Sequence, residues 1–479
     1  MAFLLVRADG SIEHAFESGS LREVERDLAK VLPKHTPVFL VTDPASPAIE
    51  AEGRKENGEA TPELAMKLSG LPWSPKKRVG ITLREIEARY PLDKKGLEKA
   101  YRDIIQYFPH TAKEHGFDHW RTPALMARHL LKTNTKTAKA IEGVGVTVPP
   151  SYAVGVNLMP YGLGAIESAK KAPAARRDYL KDPKNAARPV TFRELPLVAE
   201  GRRMQTPLGL CAGSTEACRS SCLVFTGQNG AVRYNDISKL NTERALYFEP
   251  LAFGRMLIAA IEAHVRYCRK QGLKPFVRLN VYSDIPWELF FPDLFDHFEA
   301  KYGHDIHSGG LWFYDYTKVP GRGARPKPNY DLTFSFSGQN LDACKKALHE
   351  GMRVAVVFLR KTAKGSKKQG TYKPAETVTD LTWLGYAVID GDPYDMRPLD
   401  PGGVIVGLRF KVPNRIQGKR EEAAEKAGDF VMRPPKANEH FLVRAEQVDG
   451  QWVFPTVPLQ TNVDMLEQIR ENDRPAAAE

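Results

Sequence analysis

The sequence has no run of about eighteen apolar residues, the length a helix needs to cross a bilayer. That argues against a membrane partner and leaves a 479-residue chain to bury its 42% hydrophobic content in cores of its own. The first residues, Met1–His14, are apolar for only a short stretch and lack a basic leader, so they read as a strand rather than a secretory signal. Cysteine is scarce: five residues, an odd number. This pattern argues against a disulfide framework and for a reducing, cytoplasmic setting. The chain also lacks a CxxC pair and a GxxxxGK[ST] phosphate loop. Its histidine pair, His304 and His307, has the wrong spacing for a rolling-circle nickase. Acidic residues fall short of basic ones, 58 against 69, for a net charge of +11.

The basic excess is uneven. Arg360–Lys373 carries six basic residues and no acid, Lys318–Lys327 carries four, and 165–205 carries ten against five acidic. These stretches are rich in Gly, Pro and Ala and read as loops. Gathered on one face they would favour DNA or RNA, with Arg322, Arg325, Lys364, Lys367 and Lys368 as candidate phosphate contacts. A plain solvated surface is the competing reading.

Hydrophobic patterning divides the chain into four parts. Residues 1–75 form a small α+β unit: two strands around Ala8–Ser11, a capped helix from Ser20 through Val31, and a strand over 36–42. Its expected role is docking of a partner protein. Residues 76–150 are helical in period. Residues 151–435 alternate strand and helix, with a basic insertion at 161–205, and 436–479 form a C-terminal extension ending in a frayed tail. Seven strands are expected, over 152–159, 276–281, 311–314, 332–336, 353–359, 384–389 and 404–408. Alternation with helices implies α/β class and a parallel sheet, closed as a complete or incomplete β/α barrel or left as an open doubly wound sheet.

In such folds functional groups collect past the C-terminal ends of the strands. Five strand ends here run into polar residues. Asn280, Ser283 and Asp284 follow the second strand, Asp315 and Lys318 the third, Ser335 and Ser337 the fourth, Arg360 the fifth and Asp392 the sixth. Asp284, Asp315, Lys318 and Asp392 are the candidate catalytic groups. Asn280, Ser283, Ser335, Ser337 and Arg360 are the candidate cofactor-binding groups. Asp and Asn also start loops and cap helices, which is the ordinary explanation for any one of them. The acidic run Asp390, Asp392, Asp395 and Asp400 reads as a turn before it reads as a Mg²⁺ site.

Three of the five cysteines, Cys211, Cys218 and Cys222, fall within twelve residues as C-x6-C-x3-C. Thiolates so close can hold one ion or one cluster. Three on a four-iron cluster leave one iron open to a ligand, whereas structural zinc wants four ligands, usually in CxxC pairs. Iron–sulfur, then unligated thiols or a disulfide, then zinc stay open in that order. Cys268 and Cys344 lie in helical patterns and read as buried thiols.

Several segments together resemble the gene product eighty-eight family of mycobacteriophage, with relatives on phages, plasmids and integrative elements. The matching pieces are Asn134–Lys139, Val156–Pro160, the cysteine loop with Cys222–Gly230, Val277–Glu288, Phe313–Lys318, Pro328–Ser337, Gly351–Phe358 and Val388–Lys411. The resemblance implies a radical-SAM-like barrel, a 4Fe-4S cluster on Cys211, Cys218 and Cys222, S-adenosylmethionine as its ligand, and work on nucleic acid or nucleotides. Two functions follow from these expectations: an iron–sulfur enzyme of a mobile element, or a nucleic-acid-binding accessory protein with a structural metal.

Overall fold

The computed structural model describes residues 2–7, 12–16, 21–32, 38–41, 61–105, 122–133, 149–158, 210–226, 239, 242–243, 245–361, 373–379, 381–384, 386–412, 424, 430–432, 440–448, 451–453 and 463–465. They build two sheets. In the smaller, β1 (Ala2–Arg7) and β2 (Ile12–Phe16) form the expected hairpin, and β3 (Val38–Val41) lies within the expected third strand. The helix Leu21–Val31 places Val24 and Leu28 on one face, where they pack on Phe3, Leu5 and Phe16. The C-terminal stretch completes this sheet.

The larger sheet holds β4 (Leu131–Lys132), β5 (Ser151–Val156), β6 (Lys274–Arg278), β7 (Trp312–Thr317), β8 (Tyr330–Ser335), β9 (Val354–Phe358), β10 (Thr382–Trp383), β11 (Tyr386–Asp390), β12 (Ile405–Arg409) and β13 (Val431–Met432). Back in the smaller sheet, β14 (His440–Val448) lies antiparallel to β1 and parallel to β3, and β15 (Gln451–Val453) and β16 (Val463–Met465) add on.

All seven expected strands of the α/β region are present and mutually parallel. The main path runs β10-β11-β12-β9-β8-β7-β6-β5-β4, and β13 also pairs with β9. From β5 to β9 chain neighbours are sheet neighbours, which is the winding of a barrel. The sheet nevertheless does not close among the described residues. Its ends are β4 and β10, each antiparallel and paired on one side only. The fold is therefore the expected mixed α/β class, built on a mostly parallel sheet with helices, and it forms no closed barrel among the described residues.

Side chains divide between the two faces with period two. Val277, Phe313, Leu332 and Val356 enter the main core, together with the helix Pro250–Lys270. That helix starts with Pro250, whose missing N–H is unneeded there. It packs against the helices Leu83–Arg89, Lys94–Ile105 and Pro123–Leu130. The opposite face holds Ala153, Phe276, Trp312 and Tyr314, covered by Met396. The helix expected over 288–301 is two, Trp287–Phe290 and Pro292–Tyr302, because Phe291 leaves the helical region (φ −139°, ψ 69°) and Pro292 has no N–H to continue the ladder.

Candidate functional site at the cysteine loop

The cysteine loop lies across the C-terminal ends of β6, β7 and β8, the edge where such sheets keep their chemistry. Three contacts seat it. The Leu210 carbonyl accepts the Asp284 N–H (2.6 Å), and the Thr215 hydroxyl donates to the Ser337 carbonyl. Gly213 lies so close to Lys318 that a Cβ there would be 2.6 Å from the Lys318 carbonyl oxygen. The Thr215 hydroxyl also accepts from the Cys218 N–H (3.2 Å), capping a short helix, Glu216–Ser220, that carries the second cysteine.

Cys211 and Cys218 are buried and Cys222 is half-buried, all three as free thiols. Burial, and then the neighbouring Cys218, push the Cys222 thiol up to about 11. Burial raises Cys211 further, against the pull of Lys318. Lys318 lies among all three. Burial alone would lower its ammonium, but Cys218, Cys211 and Asp284 together hold it above the ordinary lysine range. The charge of Lys239 also acts on Cys222, and Lys239 is buried with its Nζ 4.8 Å from the Tyr282 ring centroid. Arg219 is also buried and donates to the Ser214 carbonyl (2.6 Å). The Ser214, Ser221 and Ser337 hydroxyls are buried with no hydrogen-bond partner among the described residues.

Beneath the loop lies a network of buried polar groups. Asp315 accepts the Asn280 N–H (2.6 Å) and the Tyr330 hydroxyl (2.8 Å). Asn280 in turn accepts from Ser283 Oγ (2.9 Å), the Ile285 N–H (3.0 Å) and Trp287 Nε1 (3.1 Å), folding the turn after β6. Asp284 accepts the Lys318 N–H (2.7 Å) and Arg322 Nη1 (3.0 Å). Arg322 forms a two-point pair with Glu288, both bonds at 2.7 Å, and its side chain is 0% exposed.

Asn280, Ser283, Asp284, Asp315, Lys318 and Ser337 are thus gathered with the cysteines. In roles they differ. The oxygens of Asp284 and Asp315 are taken up by this chain, so these carboxylates brace the turns that seat Lys318 and the loop. Arg322 is corrected outright: a guanidinium buried between two carboxylates cannot reach a phosphate on the surface. Arg325 is 56% exposed and lies over Trp312 at 5.1 Å, so it remains accessible. Lys364, Lys367 and Lys368 lie outside the described residues. Ser335 is buried, with its carbonyl accepting from Asn340 Nδ2 (2.9 Å), and Arg360 is half-buried just past β9. Asp392 is elsewhere. It pairs with Arg409 (3.1 Å) beside Asp390, at β11 and β12, and β11 is four sheet positions or about 19 Å from β7.

Sequence patterning missed Lys132, Lys239, Glu288 and the opposite-face ion pairs Arg278–Asp395 (2.9 Å), Arg353–Asp331 (2.7 Å) and Arg397–Asp400 (2.8 Å). Lys132 had a visible signal, a cation directly after the apolar run Leu130–Leu131. The ion pairs had none, because their partners are 22 to 117 residues apart in all but the last.

These features define a mixed α/β protein with a thiol- and lysine-bearing loop on the C-terminal edge of an open parallel sheet. The profile of the family described as Gene product 88 matches residues 170–428, just over half of the chain, and the chain belongs to that family. The match begins inside the basic stretch 161–205. Comparison with curated proteins and with solved structures returns no match. No helix among the described residues is long and apolar enough to cross a membrane.

Proposed function

We propose that this protein is an iron–sulfur enzyme of a mobile element, with a four-iron cluster on Cys211, Cys218 and Cys222, acting on a nucleotide or nucleic acid. The observation that carries the reading is the placement of three thiols around one half-buried lysine at the C-terminal edge of a parallel sheet. The family's name is that of a phage-type gene product and states no activity.

The donor set fits a cluster in its chemistry. Three sulfurs share one buried neighbourhood, Lys318 supplies a counter-charge, and the partnerless Ser214 hydroxyl is the kind of donor that bonds cluster sulfur. Among the described residues no three Cys, His, Asp or Glu side chains converge closely enough to hold an ion as they stand. Ligation therefore requires the loop to tighten, and its short helix and half-buried Cys222 are the parts that would adjust. When bound, the cluster supplies one-electron chemistry at an iron left open by three thiolates, with S-adenosylmethionine as the candidate ligand.

The chain's own groups do the positioning. Asp284 holds the Lys318 backbone, Arg322 holds Asp284, and Thr215 ties the loop to β8. Lys318 keeps a positive charge against the thiols and so favours their ionised, ligating form. Anaerobic reconstitution with iron and sulfide tests the reading. Stoichiometric iron and sulfide, lost in Cys211→Ala, Cys218→Ala and Cys222→Ala, are expected; folded, iron-free protein refutes it.

The exposed guanidinium of Arg325 favours a second reading, nucleic-acid binding with the metal structural. In that case affinity for a DNA or RNA oligonucleotide falls steeply with salt and survives the cysteine substitutions.

A further inference from the structure

A groove lies on the helical segment, and its lining falls wholly within residues 61–78. Glu63, Leu64, Lys67, Trp73, Pro75 and Arg78 bound about 410 Å³ that is open to solvent. One wall is the helix Pro62–Ser69, the other the turn that follows it. Thr61 caps the helix by accepting the Leu64 N–H (3.2 Å), and Gly70, in the left-handed region (φ 68°), ends it. The chain then doubles back, with the Ser74 N–H donating to the Val79 carbonyl (2.9 Å). Ala65 and Met66 are buried, whereas Leu64 and Leu68, one turn apart, are 36% and 41% exposed.

The groove is held from below. The Tyr247 hydroxyl donates to the Ser69 carbonyl. Past the turn, the Gly80 N–H donates to the Leu289 carbonyl (3.0 Å) and the Ile81 N–H to the Phe290 carbonyl (2.7 Å). Gly80 sits so close that a Cβ there would be 2.6 Å from the Phe290 carbonyl oxygen. Arg78 has φ 52°, a conformation that costs a side-chain-bearing residue energy, and its guanidinium pairs with Glu63. A surface fixed in this way loses little freedom when a ligand binds.

The lining sets what fits. Leu64, Trp73 and Pro75 offer apolar walls. An apolar side chain seated there leaves no polar atom unpaired, whereas the hydrogen-bonding edges of a nucleobase would be left without partners. Lys67, Lys76 and Lys77 are exposed and make no ion pair among the described residues. The one acid in the stretch, Glu63, is taken by Arg78. An apolar anchor flanked by carboxylates answers both features together.

We infer that this groove docks an acidic segment of a partner protein. One apolar or aromatic side chain of that segment sits against Leu64, Trp73 and Pro75, and its neighbouring carboxylates meet Lys67, Lys76 and Lys77. The inference goes beyond the proposed function and does not depend on it.

Fluorescence anisotropy of the full chain with the labelled peptide Gly-Glu-Glu-Phe-Glu-Glu-Gly tests it. Saturable binding at one site is expected at low salt, weakening as salt rises. Serine in place of the peptide's phenylalanine should cost about tenfold or more in affinity. Leu64→Ser should cost about three- to tenfold. The pair Lys76→Ser and Lys77→Ser should cost a similar factor, about three- to tenfold, and flatten the salt dependence. These are exposed positions, so the variants should keep the fold, which circular dichroism checks. No saturable binding, equal binding of the serine peptide, or unchanged affinity in Leu64→Ser overturns the docking site. Oligothymidine that binds more tightly than the peptide and is lost in Leu64→Ser assigns the groove to nucleic acid. Self-association of the chain that Leu64→Ser abolishes assigns it to a second copy. Either result overturns the acidic segment. Iron assembly at the cysteine loop should be the same in Leu64→Ser as in the wild type, so the cluster and the groove stand or fall separately.

Discussion

Replacing Arg322 by Met should destabilise the protein severely and leave phosphate-backbone binding untouched. The guanidinium makes two 2.7 Å bonds to Glu288, one 3.0 Å bond to Asp284 and one 3.2 Å bond to the Tyr330 hydroxyl, with its side chain 0% exposed. Methionine fills much of the volume, so packing is not the main loss. What remains is two carboxylates facing each other with no cation. Breaking a buried pair by removing one partner costs about 3–5 kcal/mol, a large share of the roughly 5–15 kcal/mol that holds a domain folded. At about 2–4 °C per kcal/mol, the midpoint should fall by roughly 6–20 °C. Arg322→Met with Glu288→Gln, which removes one of the two stranded charges, should recover part of the loss. Thermal and urea unfolding followed by circular dichroism measure this. Arg325→Met, a change at an exposed site, is the control and should stay within about 0.5 kcal/mol of wild type. An Arg322→Met protein within about 1 kcal/mol of wild type would refute the buried-brace assignment.

Three further outcomes are expected. Burial pushes Asp315 up from 3.8 to about 7, so its protonated form stabilises the fold fully below 3.8 and that contribution is lost as pH rises to about 7; Asp315→Asn should flatten this slope in urea unfolding at pH 5 and 8, and an unchanged slope would contradict it. His264 is buried and held neutral, its pKa lowered from 6.5 to about 4, so its contribution is present above 6.5 and lost as pH falls through 4. The loss is on the order of 3 kcal/mol, and His264→Gln should show a shallower acid transition. Gly213→Ala should unseat the cysteine loop from Lys318, because its Cβ would fall 2.6 Å from a backbone oxygen; a loss of about 1–3 kcal/mol and faster alkylation of Cys211 and Cys218 are expected, and wild-type alkylation rates would count against the seating.

The parallel sheet was legible because its signals are local. Runs such as Val354–Leu359 are apolar throughout, which only a strand buried on both faces needs, and β9 occupies Val354–Phe358 within that run. The polar strand ends were legible for the same reason, and most gather where they were expected. Sheet closure was not legible. It depends on whether terminal strands find each other, and the two-residue strands β4 and β10 carry no periodic signal of their own. Nor was the placement of β14 between β1 and β3, a pairing across more than four hundred residues that hydrophobic period cannot report.

The division of labour among the polar strand ends was the least legible part, and it alters the chemistry most. Asp284 and Asp315 have the residue type of catalytic acids, but each is consumed by backbone N–H groups and by Arg322 or Tyr330. A carboxylate with filled lone pairs has little left for substrate. Lys318 differs in that its backbone is held by Asp284 while its ammonium is turned among thiols. The same few residues therefore split into a rigid base of carboxylates and a second set of lysines and sulfurs. Precision at a site comes from such a split, in which one set of groups is spent on fixing the position of the other. On this edge the base fixes the turns after β6 and β7, and the second set is Lys318 and the three cysteines.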